Sequence, residues 1–347
     1  KPRLGGHKGT YSPVVPPPNG GFDRDLPFSN GGFLPKEAYT LAGNIATMSN
    51  KGIELTLNTR NIRTKDFQWN STLTFSRNWN EITSIDLGSG TTPEELISLD
   101  LFIGEPRDVF YSYKKTGIWQ TSDTADAAVF GLLPGDVKVA SSLTKESDGV
   151  WYGTVTGSEG NDSTVYYTAD NPYTINANDD RQILGQEKPK WVAGFQNTFT
   201  YKGFDLNIFM TARWGHMIQG ELLGYFDHGE TNILDIYDYW TETNPTNDYP
   251  RPYRTRPSGV ASDPLGEDAL MYVDASYVKV KNITLGYTLP QGLLERIFVS
   301  NLRIYSTVYN SLIFTKSHLL KGTDPETGAS DKFPLYKQLV FGVKASF

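Results

Sequence analysis

Seven stretches of this chain alternate apolar and polar residues with a period of two, and the links between them alternate between very short and very long. In GIELTLNTR, Ile53, Leu55 and Leu57 oppose Glu54, Thr56, Asn58 and Arg60. In FQWNSTLTFSRNW, Phe67, Trp69, Leu73 and Phe75 oppose Gln68, Asn70, Thr72, Thr74, Ser76 and Asn78. WVAGFQNTFTY sets Trp191, Ala193, Phe195, Phe199 and Tyr201 against Gly194, Gln196, Thr198 and Thr200. FDLNIFMTAR is the sharpest case, with Phe204, Leu206, Ile208, Met210 and Ala212 against Asp205, Asn207, Thr211 and Arg213. NITLGYTL, NLRIYSTVYN and YKQLVFGVKASF repeat the pattern, the last running to the terminal Phe347. Period two places alternate side chains on opposite faces of a strand.

A soluble sandwich also alternates, but two features separate these strands from it. Each covers roughly 9–13 residues, near the ~9–11 that cross a bilayer at a tilt and longer than the usual ~5–6. Their second face carries Glu, Asp, Arg, Asn and Gln throughout, as a wet lumen requires. Asp205, Asn207 and Arg213 are accordingly expected to face a lumen. One strand conflicts with itself, since Lys279 and Lys281 share parity with Ile283. Either a bulge intervenes or that end stands clear of apolar surroundings.

NIRTKD and KG join two pairs of strands, and PQGLLERIFVS, long enough for one helical turn, joins a third. The other links run over about residues 80–189, 214–271 and 311–333. Tight turns at one end and long excursions at the other describe an outer-membrane barrel, so residues 50–347 read as barrel and 1–49 as an extracellular loop or approach. Seven strands cannot enclose the volume such loops imply, and an open sheet in lipid leaves unpaired edges. The chain is therefore expected to be the C-terminal part of a larger antiparallel all-β barrel, with Lys1 not its natural start.

Composition narrows the partners. A net charge of −7 and no basic run argue against nucleic acid. Without cysteine there is neither a disulfide framework nor a thiolate metal site. No secretory signal opens the chain, and no apolar run approaches the ~18 residues of a spanning helix. The mean hydropathy of −0.41 suggests solubility only if barrel strands, which hide their apolar residues in alternation, are overlooked.

The ordered set NKGIEL (50–55), GEPRDVFYSYKKTGIWQ (104–120), LPGDVKV (133–139), DDRQILGQEKPKWVAGFQNTFTYKGFDLNIFM (179–210), NPTNDYPRP (244–252), DASYVKVKNITLGYTLP (274–290), NLRIYSTVYN (301–310) and DPETG (324–328) resembles the SusC/RagA-like TonB-dependent outer-membrane transporters. The resemblance implies a 22-stranded barrel closed by an N-terminal plug and energised through TonB. It further implies a SusD-like surface lipoprotein that lids the barrel over an oligosaccharide or peptide. Plug, TonB-contacting segment and earlier strands would lie upstream of Lys1. The two rival readings are a passive porin, with the same strands, and a soluble carbohydrate-binding or glycoside-processing β domain.

The chain departs from the family before DDR, where a calcium-loop-like run is common and NPYTINAN stands instead. Asn176, Asn178, Asp179 and Asp180 are the candidate oxygen donors for Ca2+, without the EF-hand spacing. No catalytic motif is present. Glu94, Glu95 and Asp100 would be a conceivable carboxylate set, but PEEL reads more simply as a helix start, so no enzyme is expected. His7, His216, His228 and His318 are scattered through predicted loops.

Loop aromatics are the candidate ligand- or lid-facing residues: Trp119, Trp151, Tyr152, Tyr237, Tyr239, Trp240, Tyr249 and Tyr253, with Tyr111, Tyr113 and Trp214 beside them. Most are expected to pack the loops or meet the lid, and a few to touch substrate. Trp191, Tyr201 and Tyr287, on the apolar parity, fit a membrane girdle. Phe341 and Phe347 are expected to form the barrel-insertion signal on the last strand.

Overall fold

The computed structural model describes residues 46–85, 96–97, 99–156, 161–220, 223, 237–252, 266–294, 299–329 and 335–347. Most of the approach segment expected over 1–49 lies outside the described residues, and its last residues begin the first strand. Strands β1 (Ala46–Arg63) and β2 (Phe67–Ile85) form a hairpin. The first excursion carries β3 (Val109–Tyr113), β4 (Lys115–Ile118), β5 (Val137–Val139), β6 (Thr144–Lys145), β7 (Trp151–Thr156), β8 (Asp162–Tyr167) and β9 (Arg181–Gln186). A second hairpin follows, β10 (Trp191–Tyr201) and β11 (Phe204–Trp214). The second excursion holds β12 (Met217–Gln219) and β13 (Tyr272–Asp274). Then come β14 (Tyr277–Thr288), β15 (Asn301–Thr315), the third excursion and β16 (Gln338–Ser346).

The long strands form one antiparallel sheet of seven in the order β1-β2-β10-β11-β14-β15-β16. The sequence order is preserved throughout, as in an up-and-down barrel wall. The wall is open at β1 and β16, which have no partner on their outer edges among the described residues. Lys202 and Gly203, at φ 44° and 88°, make the two-residue turn of the second hairpin. Two positive φ values give a turn whose twist matches the flanking strands. The four residues Gln291–Leu294 supply the expected helical turn between β14 and β15.

Register turns the alternation into two different faces. Leu55, Phe75, Ala193, Ala212, Val278 and Phe314 are successive cross-strand partners in one row. Leu57, Leu73, Phe195, Met210, Val280 and Leu312 make another. Apart from Val280, which is buried, this apolar face is open: Ile53, Leu55, Leu57, Leu285, Ile304 and Leu339 are all about half exposed or more. In a sandwich it would be covered by a second sheet. The bare apolar face weighs against the soluble-domain reading, because the wall is hydrophobic on one side and polar on the other.

Aromatic rings bracket the apolar band. Trp191 stacks on Trp214 at 6.0 Å and lies 5.9 Å from Phe75 at the long-loop end. Trp69 stacks on Phe199 at 5.6 Å, and Phe204 meets Tyr287 at 4.4 Å, at the short-turn end. The row from Trp191 to Tyr201 spans 11 residues, roughly the length that crosses a hydrocarbon layer at a tilt. Trp214 is thus the last residue of β11 rather than a loop residue.

Two sequence expectations are corrected or resolved here. β1 and β2 run to 18 and 19 residues, longer than expected, because their pairing continues past the rings on the long-loop side, and β15 reaches 15 through a bulge opposite β14 and pairing with β16 at the short-turn end. The Lys279/Lys281 conflict is resolved by a bulge: Phe209 pairs with Asn282 and Met210 with Val280, leaving Lys281 out of register. The extra residue brings Lys279 opposite Thr211 on the polar face.

Candidate functional site

The polar face and the folded excursions meet at the long-loop end, and the junction is built around Glu326. The DPETG stretch forms a short 3-10 turn, Pro325–Thr327, whose cap Asp324 accepts a hydrogen bond from the Glu326 N–H. That turn holds both carboxylates against β14. Lys279 Nζ donates to Glu326 Oε2 at 2.8 Å and also to Asp324, Lys281 Nζ donates to Glu326 Oε1 at 2.6 Å, and Tyr277 Oη donates to the same oxygen at 2.8 Å. Lys279 is 1% exposed, so its charge survives only because two carboxylates surround it. Burial by itself would raise the Glu326 carboxyl, but hydrogen bonds from Lys279, Lys281 and Tyr277 outweigh it and hold the group down at about 2. The third excursion is thereby fastened to the lumen side of the wall.

The other excursions are fastened to one another. Tyr113, Ile118 and Val137 of the first pack with Tyr237, Trp240 and Tyr249 of the second, and Leu319 of the third closes the cluster. Trp240 Nε1 donates to Gln120 Oε1 at 2.8 Å, and Ile118 N–H donates to Asn247 Oδ1 at 3.0 Å. Gly135, at φ 95°, lets the Trp240 ring and Arg251 approach; a Cβ there would sit 2.7 Å from each.

Asp248 joins all three excursions. Its carbonyl accepts from the half-buried Lys115, and its carboxylate lies 2.7 Å from His318 Nε2. Burial pushes the Lys115 ammonium down to about 8, against the opposing pull of the Asp248 carboxylate. A second cluster, Trp119, Phe130, Leu132, Leu143 and Tyr173, lies within the first excursion, with Trp151 against it.

The loop aromatics divide on burial. Trp119, Tyr237, Trp240 and Tyr249 are buried, so their rings are interior packing and present no open face to a ligand. Trp151 is half-buried, donating from Nε1 to Asp126 at 2.9 Å. Tyr152 and Tyr239 retain accessible rings, and Tyr239 is counted among the exposed hydrophobics. Tyr113 is buried, and Tyr111 packs on Phe102 at 4.9 Å. Tyr253, Glu94, Glu95, His7 and His228 lie outside the described residues.

Of the oxygen donors expected for Ca2+, Asp180, Asp179 and Asn176 already accept hydrogen bonds. Asp180 accepts from Ser142 N–H, Tyr173 Oη and Asn176 N–H, each at 2.8 Å. Asn176 Oδ1 accepts from the N–H groups of Asn178 and Asp179. Asp179 Oδ2 accepts from Asn176 Nδ2 at 3.0 Å.

Asp205, Asn207 and Arg213 share the polar face of β11. Asn207 donates to Thr198 Oγ1 at 3.0 Å. Asp205 is held by Arg303, whose Nε donates at 2.8 Å from two strands away. The guanidinium crosses β14 above Gly286, where a Cβ would lie 2.4–2.6 Å from it. Phe341 and Phe347 stand on the open edge strand at 75% and 93% exposure.

Sequence reasoning did not single out Lys115, Asp248, Asp324, Glu326 or Arg303. The signal for the Glu326 site was nonetheless present: two lysines on the wrong parity and a turn motif rich in carboxylates.

No protein-family model matches the chain. It is 31% identical over 296 residues to TonB-dependent receptor P3 of Formosa agariphila, covering 82% of this chain and 26% of that protein. It is 30% identical over 293 residues to TonB-dependent receptor P26 of the same organism, with the same coverage. The chain thus spans about a quarter of the length of the curated relatives it matches. Among solved structures it superposes on the RagAB peptide transporter with a TM-score of 0.59 at 24% identity, covering 89% of this chain and 30% of that one. The same importer in its open-open state gives 0.57 at 21% identity.

Proposed function

The chain belongs to the SusC/RagA-like TonB-dependent receptors, and from that premise we propose that it forms wall and extracellular mouth of a nutrient importer in the bacterial outer membrane. The observation that carries this reading is the inside-out sheet, apolar where it meets its surroundings and polar where it faces the interior. A bilayer satisfies the first face and a wet lumen the second. The long-loop end then lies outside the cell, because outer-membrane barrels keep short turns on the periplasmic side.

Import would be by binding and gating rather than by chemistry, so the protein is read as no enzyme. An oligosaccharide or peptide would be captured between the excursions and a SusD-like lipoprotein lid, and a TonB-driven plug would then open the lumen. The docked excursions support this assignment, since a rigid mouth gives a lid something fixed to close against. Tyr152 and Tyr239, with open rings, are the aromatics placed best for contact with lid or ligand. Phe341 and Phe347 would carry the insertion signal, their strand sealing against the barrel's first strand.

The test is uptake by cells carrying the full-length receptor, with and without TonB, on panels of oligosaccharides and peptides. TonB-dependent uptake of one class supports the importer. Uptake that persists without TonB identifies a passive porin instead.

A further inference from the structure

β2 outruns the strand beside it. The ladder between β2 and β10 ends at Ser76–Val192, whereas β2 stays paired with β1 as far as Ile85. Pro189, three residues before Val192, has no N–H with which to carry a ladder further. Beyond it the chain of Lys188 and Pro189 diverges from β2. The next backbone contact on that edge is at Ile82, which exchanges hydrogen bonds with Gly104 and Glu105 at 2.9 Å each.

Between these two points lies a notch of about 470 Å³. Its walls carry three cations, Arg77, Lys188 and Lys190, and three amides, Asn78, Asn80 and Gln186, but no carboxylate. Lys188 is paired with Asp108 at 2.5 Å, while Lys190 makes no ion pair among the described residues. Arg77 lies 4.4 Å over the ring of Trp79, which remains 41% exposed. Arg77 Nε and Asn80 Oδ1 are buried without a hydrogen-bond partner among the described residues. Unpaired buried polar atoms are costly, and the cations and amides of the lining offer donors to a ligand's anionic oxygens and hydroxyls.

Height selects the ligand. Arg77 comes two residues beyond Phe75, and Lys190 immediately precedes Trp191, the rings that close the apolar band at the long-loop end. The notch therefore sits at the level of lipid headgroups, where arginine and lysine meet phosphate and an exposed indole meets a sugar ring. We propose that it binds the phosphate-bearing sugar headgroup of an outer-leaflet glycolipid, an assignment that rests on the wall standing in the outer membrane with its long loops outward.

The experiment uses the full-length receptor in nanodiscs made with and without lipid A, a bisphosphorylated glucosamine-disaccharide lipid. Bound lipid is counted by native mass spectrometry. Wild type is expected to retain lipid A, and R77Q/K190Q to retain it at least tenfold more weakly. W79A serves as a second, uncharged probe, and heat-modifiable migration confirms that each variant is folded. Equal retention by wild type and the folded variants overturns the site. In a parallel arm, glucosamine 6-phosphate, inorganic phosphate and glucosamine are titrated against detergent-solubilised receptor. Tight binding of the free sugar phosphate keeps the anionic-sugar chemistry but overturns the lipid as its source. A receptor that stays soluble without detergent or lipid overturns the membrane reading and the lipid occupant together.

Discussion

The wall and the cap of folded excursions obey opposite rules within one chain. In the cap, Trp240, Ile118 and Val137 are almost wholly buried, and charges sit outside, in pairs or, like Asp180, among hydrogen-bond donors, as in a water-soluble domain. In the wall, Leu55, Ile304 and Phe341 are the bare residues, while Ser71, Asn197, Lys279 and Thr307 are among the buried polar ones. What differs is the solvent each region was built for. The same period-two strand serves both, and only the identity of the uncovered face tells them apart.

The largest effect is expected in the cap. Trp240→Ala removes a fully buried ring that packs against Gly135 and bonds Gln120, which should cost about 4 kcal/mol of local stability. Hydrogen exchange should rise across residues 113–139 and 237–250 while β10 and β11 stay protected. Equal loss of protection in both regions would break the comparison, since cap and wall would then be one cooperative unit.

Next comes the wall. Leu57→Arg puts a charge on the apolar row between the ring levels of Phe75 and Trp69 and should cost about 3 kcal/mol. Leu57→Met should cost almost nothing. Denaturant unfolding of the full-length receptor in vesicles measures both, and a harmless arginine would mean that this face meets water.

How much of this was legible beforehand follows the same division. Face assignments in FDLNIFMTAR and GIELTLNTR were readable because lipid and lumen impose opposite polarities on neighbouring residues. Even the misfit of Lys279 and Lys281 carried information, since a bulge was one of only two ways to accommodate it. The cap was not readable in this way. Trp119, Tyr237, Trp240 and Tyr249 were candidates for ligand contact because sequence shows that a ring lies in a loop, not which partner covers it. Their burial depends on residues more than a hundred positions apart, such as Trp240 and Gln120, and no local pattern encodes that pairing.

The seam between the two regions supplies the third prediction. Glu326→Gln keeps shape but removes the charge that answers Lys279 and Lys281, and should cost the docked excursion about 2 kcal/mol. Acid should mimic it. Because the folded carboxyl is held down near 2, its stabilisation is full above its unfolded value of about 4.3 and fades as pH falls from there through 2. Protease cleavage within residues 316–329 should therefore accelerate below about pH 4 in wild type. In the glutamine variant it should be fast at neutral pH and change less with acid. Identical acid profiles would show that another carboxylate, with Asp324 the nearest, governs release.

The smallest effect tests whether the lumen face of the wall tolerates change better than the apolar face. Gly286→Ala would place a methyl group 2.4–2.6 Å from the Arg303 guanidinium and the Asp205 carboxylate. Arg303 ends a flexible side chain facing a wet interior, so it can swing aside and leave Asp205 to water. The loss should be about 1 kcal/mol, the value of a partly exposed pair, and it should shrink further in high salt. Asp205→Asn should give a similar loss, and the two changes combined should cost no more than either alone, because both remove one bond. An additive double variant would mean that Gly286 matters for the backbone of β14 itself, and that the lumen face is packed as tightly as the cap.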